Sequence, residues 1–213
     1  MKKNLLALVV LLCAVVSANA QSFGGDADRT PRLSAGFGAG GTIGSHSGDY
    51  PAAGSVDVKL EFPIASSPVS ITASAAYTFF VSKDGYYFGY NSNEGNYSSG
   101  SLASFAPVML GARVYAGKLF FEGAAGASFN LNSNHSDYTS KTVALVLSPS
   151  IGYGFRFGSS QKFGLDLSLA YETRLESNKS IILYNDGMGN SYTAGGYGNY
   201  NQIACHVAFS LGL

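Results

Sequence analysis

The chain carries few residues with the chemistry to act on a substrate, so these are taken first. Three histidines are present, at 46, 135 and 206. His46 and His135 stand beside serines (Ser45, Ser47, Ser133 and Ser136) in Ser/Asn-rich stretches. A hydrolase needs a nucleophile, a base and an orienting acid within hydrogen-bond reach of one another. No spacing in this sequence selects such a triad, and no catalytic residue is assigned. The run Gly36-Phe-Gly38-Ala-Gly40-Gly41 has a superficial likeness to a phosphate-binding loop, but no helical pattern follows it. Close backbone packing is the expected role for these glycines. No metal-ligand or cofactor-binding spacing is found, so neither is expected. What remains is a set of charged side chains placed at alternate positions.

That alternation identifies the elements that hold them. From Lys162 to Leu175 the odd positions are Phe163, Leu165, Leu167, Leu169, Tyr171, Thr173 and Leu175, while the even ones include Asp166, Ser168, Glu172 and Arg174. A period of two over such a length predicts a β-strand with one apolar and one polar face. Eight segments of this kind are read, at 32–44, 54–63, 69–81, 104–116, 118–131, 141–157, 162–175 and 199–213. The connections alternate in length. Residues 45–53, 82–103, 132–140 and 176–198 form medium or long loops, and 64–68, Gly117 and 158–161 form short turns. Within the last long loop, Ser180–Tyr184 and Asn190–Ala194 flank Asn185-Asp-Gly-Met-Gly189 as an expected hairpin.

Composition says which medium the apolar faces meet. Charged residues make up 12% of the chain, against about 25% in an ordinary soluble domain. Such a surface suits lipid contact better than water. No apolar run after residue 20 is long enough for a membrane helix, so a membrane-spanning reading requires a closed β-barrel. Alternating long and short connections are the pattern of bacterial outer-membrane barrels, with the long loops outside. A lipocalin-like soluble barrel is the competing architecture, and low charge content and loop alternation speak against it. Outward aromatics collect in two belts: Phe62, Phe121, Phe155, Phe157, Phe163 and Phe209 towards the short turns, and Tyr77, Phe79, Phe129 and Tyr171 towards the long loops.

Residues 1–20 are expected to be a secretory signal peptide, with Lys2 and Lys3 before the apolar run Leu5–Val16 and Ser17-Ala-Asn-Ala20 as the cleavage pattern. Removing Lys2 and Lys3 leaves 11 basic against 13 acidic residues. That balance excludes a nucleic-acid partner. Cys205 alone follows the signal segment, which leaves no intrachain disulfide and no evident role for it. Residues 21–31 would be a periplasmic N-terminal segment and 32–213 the barrel.

Signal segment, eight amphipathic strands, alternating loops and the ending Val207-Ala-Phe209-Ser-Leu211-Gly-Leu213 resemble the small outer-membrane β-barrel proteins of the OmpA/OmpX and opacity-protein type. The resemblance spans the expected mature chain as an architecture, and Leu213 departs from the aromatic final residue usual in that group. It implies an all-β, eight-stranded antiparallel up-and-down barrel in the outer membrane of a Gram-negative bacterium. Implied partners are outer-membrane lipid and lipopolysaccharide, and the barrel-assembly machinery during insertion. The chain is expected to finish with its last strand, so a further peptidoglycan-binding domain is not implied.

With apolar faces on lipid, the charged faces point inward. The interior of an eight-stranded barrel is just wide enough for side chains to fill. Arg113, Glu122, Arg156, Asp166, Glu172, Arg174 and His206 are therefore expected to form an ion-pair network in the lumen, with Asp57, Lys59, Glu61 and Gln202 beside them. Tyr86, Tyr87, Tyr90 and Tyr97 in one long loop, and Tyr184, Tyr192 and Tyr197 in the other, lie among Gly, Asn and Ser. That mixture gives amphipathic contact area at low entropy cost. It points to surface binding of a host, glycan or envelope-protein partner by a non-enzymatic barrel. A narrow channel for ions or small solutes is the alternative, and a lipid-modifying enzyme ranks third.

Overall fold

The computed structural model describes residues 30–64, 67–82, 88–91, 96–99, 102–132, 141–158, 161–176, 181–185, 191–194 and 198–213. The expected signal peptide therefore lies outside the described residues. The described residues form twelve strands: β1 (Arg32–Ile43), β2 (Ala52–Pro63), β3 (Val69–Val81), β4 (Phe88–Asn91), β5 (Asn96–Ser99), β6 (Leu102–Ala116), β7 (Leu119–Asn130), β8 (Val143–Phe157), β9 (Phe163–Arg174), β10 (Ile181–Asn185), β11 (Ser191–Ala194) and β12 (Tyr200–Gly212). Eight of them close into an antiparallel barrel in the order β1-β12-β9-β8-β7-β6-β3-β2. Each neighbour in that ring is the next barrel strand along the chain, so the topology is an up-and-down meander. Closure is made by β1 and β12, paired from Arg32↔Gly212 to Ile43↔Asn201. A closed ring leaves no strand edge unpaired, which a lipid environment demands.

Side-chain parity then fixes the two surfaces. In β9 the outward residues Phe163, Leu167 and Leu169 are exposed, while Asp166, Ala170 and Arg174 are buried. The same sorting runs round the ring, with Leu110 68% and Phe209 64% exposed on the outside, and Thr72, Ser128 and Gln202 within 2% of complete burial inside. A soluble monomer does not carry a continuous apolar belt of this extent. The barrel spans a membrane. A strand of 12 residues, rising ~3.4 Å per residue and tilted by ~40°, covers about 30 Å of height, which matches a hydrocarbon core.

Several boundaries differ by one or two residues from the sequence reading, and β2 and β6 each begin two residues earlier. The turn between β6 and β7 consists of Gly117-Lys118, with Gly117 at φ 65° supplying the left-handed conformation it needs. A hairpin of β4 and β5 rises after β3, within the stretch 82–103 that the sequence reading assigns to a long loop. The hairpin of β10 and β11 rises before β12 and matches the expected one within a residue.

Two places interrupt the ladder. Between β3 and β6 the pairing passes from Ala75↔Val108 to Thr78↔Phe105, and between β8 and β9 from Leu147↔Thr173 to Ser150↔Ala170. The register is unchanged across each gap. Pro107 and Pro149 stand there, and proline has no N–H to give to a ladder.

Lipid exposure of the outer face predicts a position-specific penalty. Leu167→Arg should lower the stability of vesicle-reconstituted protein by ~2–4 kcal/mol if it lies near the membrane midplane. Leu167→Phe should leave stability within about 0.5 kcal/mol. Urea titrations read by gel mobility measure both, and a mild arginine variant would contradict the lipid-facing assignment.

Candidate functional site

The lumen is built by the even-parity residues of some strands and the odd-parity residues of others, and it has three levels. At the short-turn end, Arg113 on β6 reaches across the interior. Its Nε and Nη2 donate to Glu122 Oε2 at 2.9 and 2.7 Å, and its Nη1 donates to Asp166 Oδ2 at 2.8 Å and Glu61 Oε2 at 3.2 Å. Lys59 Nζ donates to Glu122 at 2.8–3.0 Å, and Thr72 Oγ1 donates to the same carboxylate at 3.2 Å. Arg156 pairs with the other oxygen of Asp166. Tyr115 accepts from Arg113 Nη1 at 3.2 Å and donates to Glu61 at 2.7 Å. The guanidinium carbon of Arg113 also lies 4.0 Å from the centroid of the Phe120 ring. Three cations thus meet three carboxylates, and the central four residues are 4–6% exposed. Fully hydrogen-bonded charges of this kind escape the penalty of isolated burial.

At mid-height the arrangement is looser. His206 on β12 places Nδ1 3.7 Å from Asp57 Oδ1, and Glu172 accepts from Gln202 Nε2 at 3.2 Å. Gly38 leaves the space that the His206 ring occupies, since a Cβ there would lie 2.5 Å from the imidazole. Asp57, Glu172 and His206 face an internal cavity of about 70 Å³ with Ser55, Thr78, Ser150 and Ser168 among its walls.

The long-loop end is closed by aromatic packing. Phe80, Phe105 and Tyr200 are 1–2% exposed and lie with ring centroids 4.9–5.8 Å apart. Arg174 stacks its guanidinium 4.6 Å over Phe105, pairs with Glu176, and donates to the carbonyl of Lys141 at 2.8 Å. Above this plug, in the turn after β1, His46 stacks on Tyr200 with ring centroids 4.0 Å apart and an interplanar angle of 9°. Its Nε2–H donates to the carbonyl of Gly198 at 2.8 Å.

Of the residues singled out in the sequence, Arg113, Glu122, Arg156 and Asp166 therefore share one cluster, with Lys59 and Glu61. Glu172 and His206 belong to the chamber above it, and Arg174 to the upper plug. Tyr115, Phe120, Phe80, Phe105 and Tyr200 are missed by the sequence reading. Parity was the available signal, because each stands in step with the polar face of its strand. Among the loop tyrosines, Tyr90 and Tyr97 are opposite each other on β4 and β5, and Tyr184 and Tyr192 on β10 and β11. Tyr86, Tyr87 and Tyr197 lie outside the described residues, as do His135, Ser133 and Ser136. Neither described histidine has a nucleophile in hand: His46 is committed to Tyr200 and Gly198, and the Ser55 hydroxyl has no hydrogen-bond partner.

No protein-family model matches the sequence, and no curated protein matches it. Among solved structures the chain is similar to the outer membrane protein Ail of Yersinia pestis, at 12% identity and a TM-score of 0.38 over 84% of this chain and 99% of that one. It is also similar to the outer membrane protein AlkL, at 10% identity and a TM-score of 0.37 over 89% of this chain and 90% of that one. The outer membrane protease OmpT of Escherichia coli follows, at 7% identity and a TM-score of 0.31 over 88% of this chain and 98% of that one. Likenesses this loose carry no argument about activity. The fold assignment rests on the closed ladder of this chain.

Two outcomes follow from the site. Arg113→Met strands the carboxylates of Glu61, Glu122 and Asp166, and should cost about 3–5 kcal/mol in urea unfolding. At the rim, burial lowers the His46 pKa, outweighing the Gly198 hydrogen bond and the nearby Asp49, which raise it. The neutral ring is therefore favoured in the folded rim. Its contribution to stability is fully present above the unfolded value of about 6.5 and is lost as pH falls through that value towards the lower folded one. Amide exchange over residues 44–50, corrected for intrinsic rates, should rise on acidification, and His46→Phe should remove the dependence.

Proposed function

We propose that this protein is a non-enzymatic barrel of a Gram-negative outer membrane that acts at the cell surface through its two extramembrane hairpins. Closed antiparallel barrels with an apolar outer belt are the form in which chains cross that membrane. The observation that carries the reading is the division of the molecule. Its lumen is filled by ion pairs below and by aromatic rings above, so little of the interior is free to process a substrate. At the long-loop end, β4–β5 and β10–β11 set tyrosines directly opposite one another, Tyr90↔Tyr97 and Tyr184↔Tyr192. Tyrosine among Gly, Asn and Ser suits a binding surface. The partner class is a host surface, a glycan or another envelope protein. Lipopolysaccharide surrounds the same hairpins, and the assembly machinery meets the barrel during insertion.

A narrow solute channel is the second reading, supported by the mid-lumen cavity. The two readings separate in the laboratory. Deleting 86–97 should abolish adhesion or partner capture by cells displaying the protein, while heat-modifiable gel mobility shows that the barrel still folds. Unchanged adhesion would remove that hairpin from the binding surface. Purified protein in planar bilayers should give no steady conductance, and sizeable open channels would favour the second reading.

A further inference from the structure

Two levels of the lumen hold at least as many cations as carboxylates, and the third holds fewer. Below, Lys59, Arg113 and Arg156 face Glu61, Glu122 and Asp166, with Arg32 at the edge of the same cluster. Above, Arg174 faces Glu176. Between them, Asp57 and Glu172 share a single histidine. His206 approaches Asp57 at 3.7 Å, and the hydrogen bond given to Glu172 comes from the neutral amide of Gln202. Two acids against one imidazole leave this level with surplus negative charge. A buried carboxylate without a counter-charge is costly enough that something must compensate it.

An independent observation indicates what does. The hydroxyls of Ser55 and Thr78, whose residues are 5% and 1% exposed, line the same cavity and have no hydrogen-bond partner. Hydroxyl oxygens offer lone pairs to a cation or to the water around it. The cavity, at about 70 Å³, has room for roughly five water-sized occupants. Among the described residues, no three His, Cys, Asp or Glu side chains converge closely enough to grip a metal ion directly. A divalent ion draws on converging carboxylates or strict octahedral oxygens. This chamber offers dispersed hydroxyls and the separated acids Asp57 and Glu172, over a floor in which Glu122 and Asp166 are already paired with Lys59 and Arg113.

We propose that the mid-lumen chamber holds a small, partly hydrated monovalent cation that balances Asp57 and Glu172. The ion pairs beneath it and the aromatic plug above it bound the chamber on both sides, so the ion is enclosed as the barrel folds and leaves slowly afterwards. The site is independent of the extramembrane hairpins, and deleting 86–97 leaves it intact.

The test uses the full barrel refolded in detergent with rubidium chloride, then exchanged on a column into N-methylglucammonium chloride. Wild-type protein should retain a stoichiometric amount of rubidium by mass spectrometry, and Asp57→Asn and Glu172→Gln should each lose it while keeping the gel mobility of a folded barrel. Wild-type protein refolded in N-methylglucammonium throughout should also unfold at a lower temperature, which tests the site without any substitution. Equal rubidium in wild type and variants would overturn the proposal. So would an infrared band of a protonated carboxyl in wild type that disappears in Glu172→Gln, because a proton would then be the compensating charge.

Discussion

One buried guanidinium sets the terms for this molecule. Arg113 spans the interior and holds carboxylates that arrive from three other strands, Glu61 on β2, Glu122 on β7 and Asp166 on β9. The strands β6 and β7 are neighbours, but β2 and β9 stand elsewhere in the ring. These contacts therefore tie together parts of the wall that the backbone ladder does not join. A bilayer supplies no hydrophobic drive to bring apolar outer faces together, so the polar interior and the closed ladder must supply cohesion. Planar, multidentate arginine is suited to that task, since each N–H of its fork finds an acceptor at a different bearing.

The two ends of the lumen are closed by different physics. Below, closure depends on ionic hydrogen bonds, with Tyr115 and Phe120 packed around the guanidinium. Above, it depends on Phe80, Phe105 and Tyr200, onto which the turn of residues 44–50 folds through His46. Gly198 has no Cβ because Ser45 occupies the place it would take. The upper plug thus includes residues from the turn after β1 and from the approach to β12, the two strands that complete the ring.

Much of the wall is legible in the sequence because a strand's period is exposed by any contrast between its faces. In β9, leucines alternate with Asp166, Ser168, Glu172 and Arg174, and the orientation follows from composition. The lumen's grouping is less legible. Arg113 and Arg174 read alike along the chain, yet one joins three carboxylates and the other stacks on Phe105 near the upper rim. Height in the barrel, set by register between strands distant in sequence, decides which charges meet. Inward aromatics such as Phe120 and Phe105 are hidden by their neighbours: Phe121 follows one, and the apolar Ala103 shares the face of the other. The β4–β5 hairpin leaves little trace because Gly and Asn dominate around it.

The ladder gaps at Pro107 and Pro149 have a mechanical meaning. They fall on the seam between β3 and β6 and on the seam between β8 and β9. Between those seams, β6, β7 and β8 are joined to each other by continuous ladders. The cylinder is thus two staves held along interrupted joints, a three-strand stave and a five-strand stave. Arg113 and Glu122 belong to the first, and their partners Glu61, Lys59 and Asp166 to the second. The ionic cluster joins the two staves lower down, where Ser70↔Arg113 and Gly154↔Asp166 keep both ladders paired, so the staves are clamped at the short-turn end and meet through interrupted joints further up.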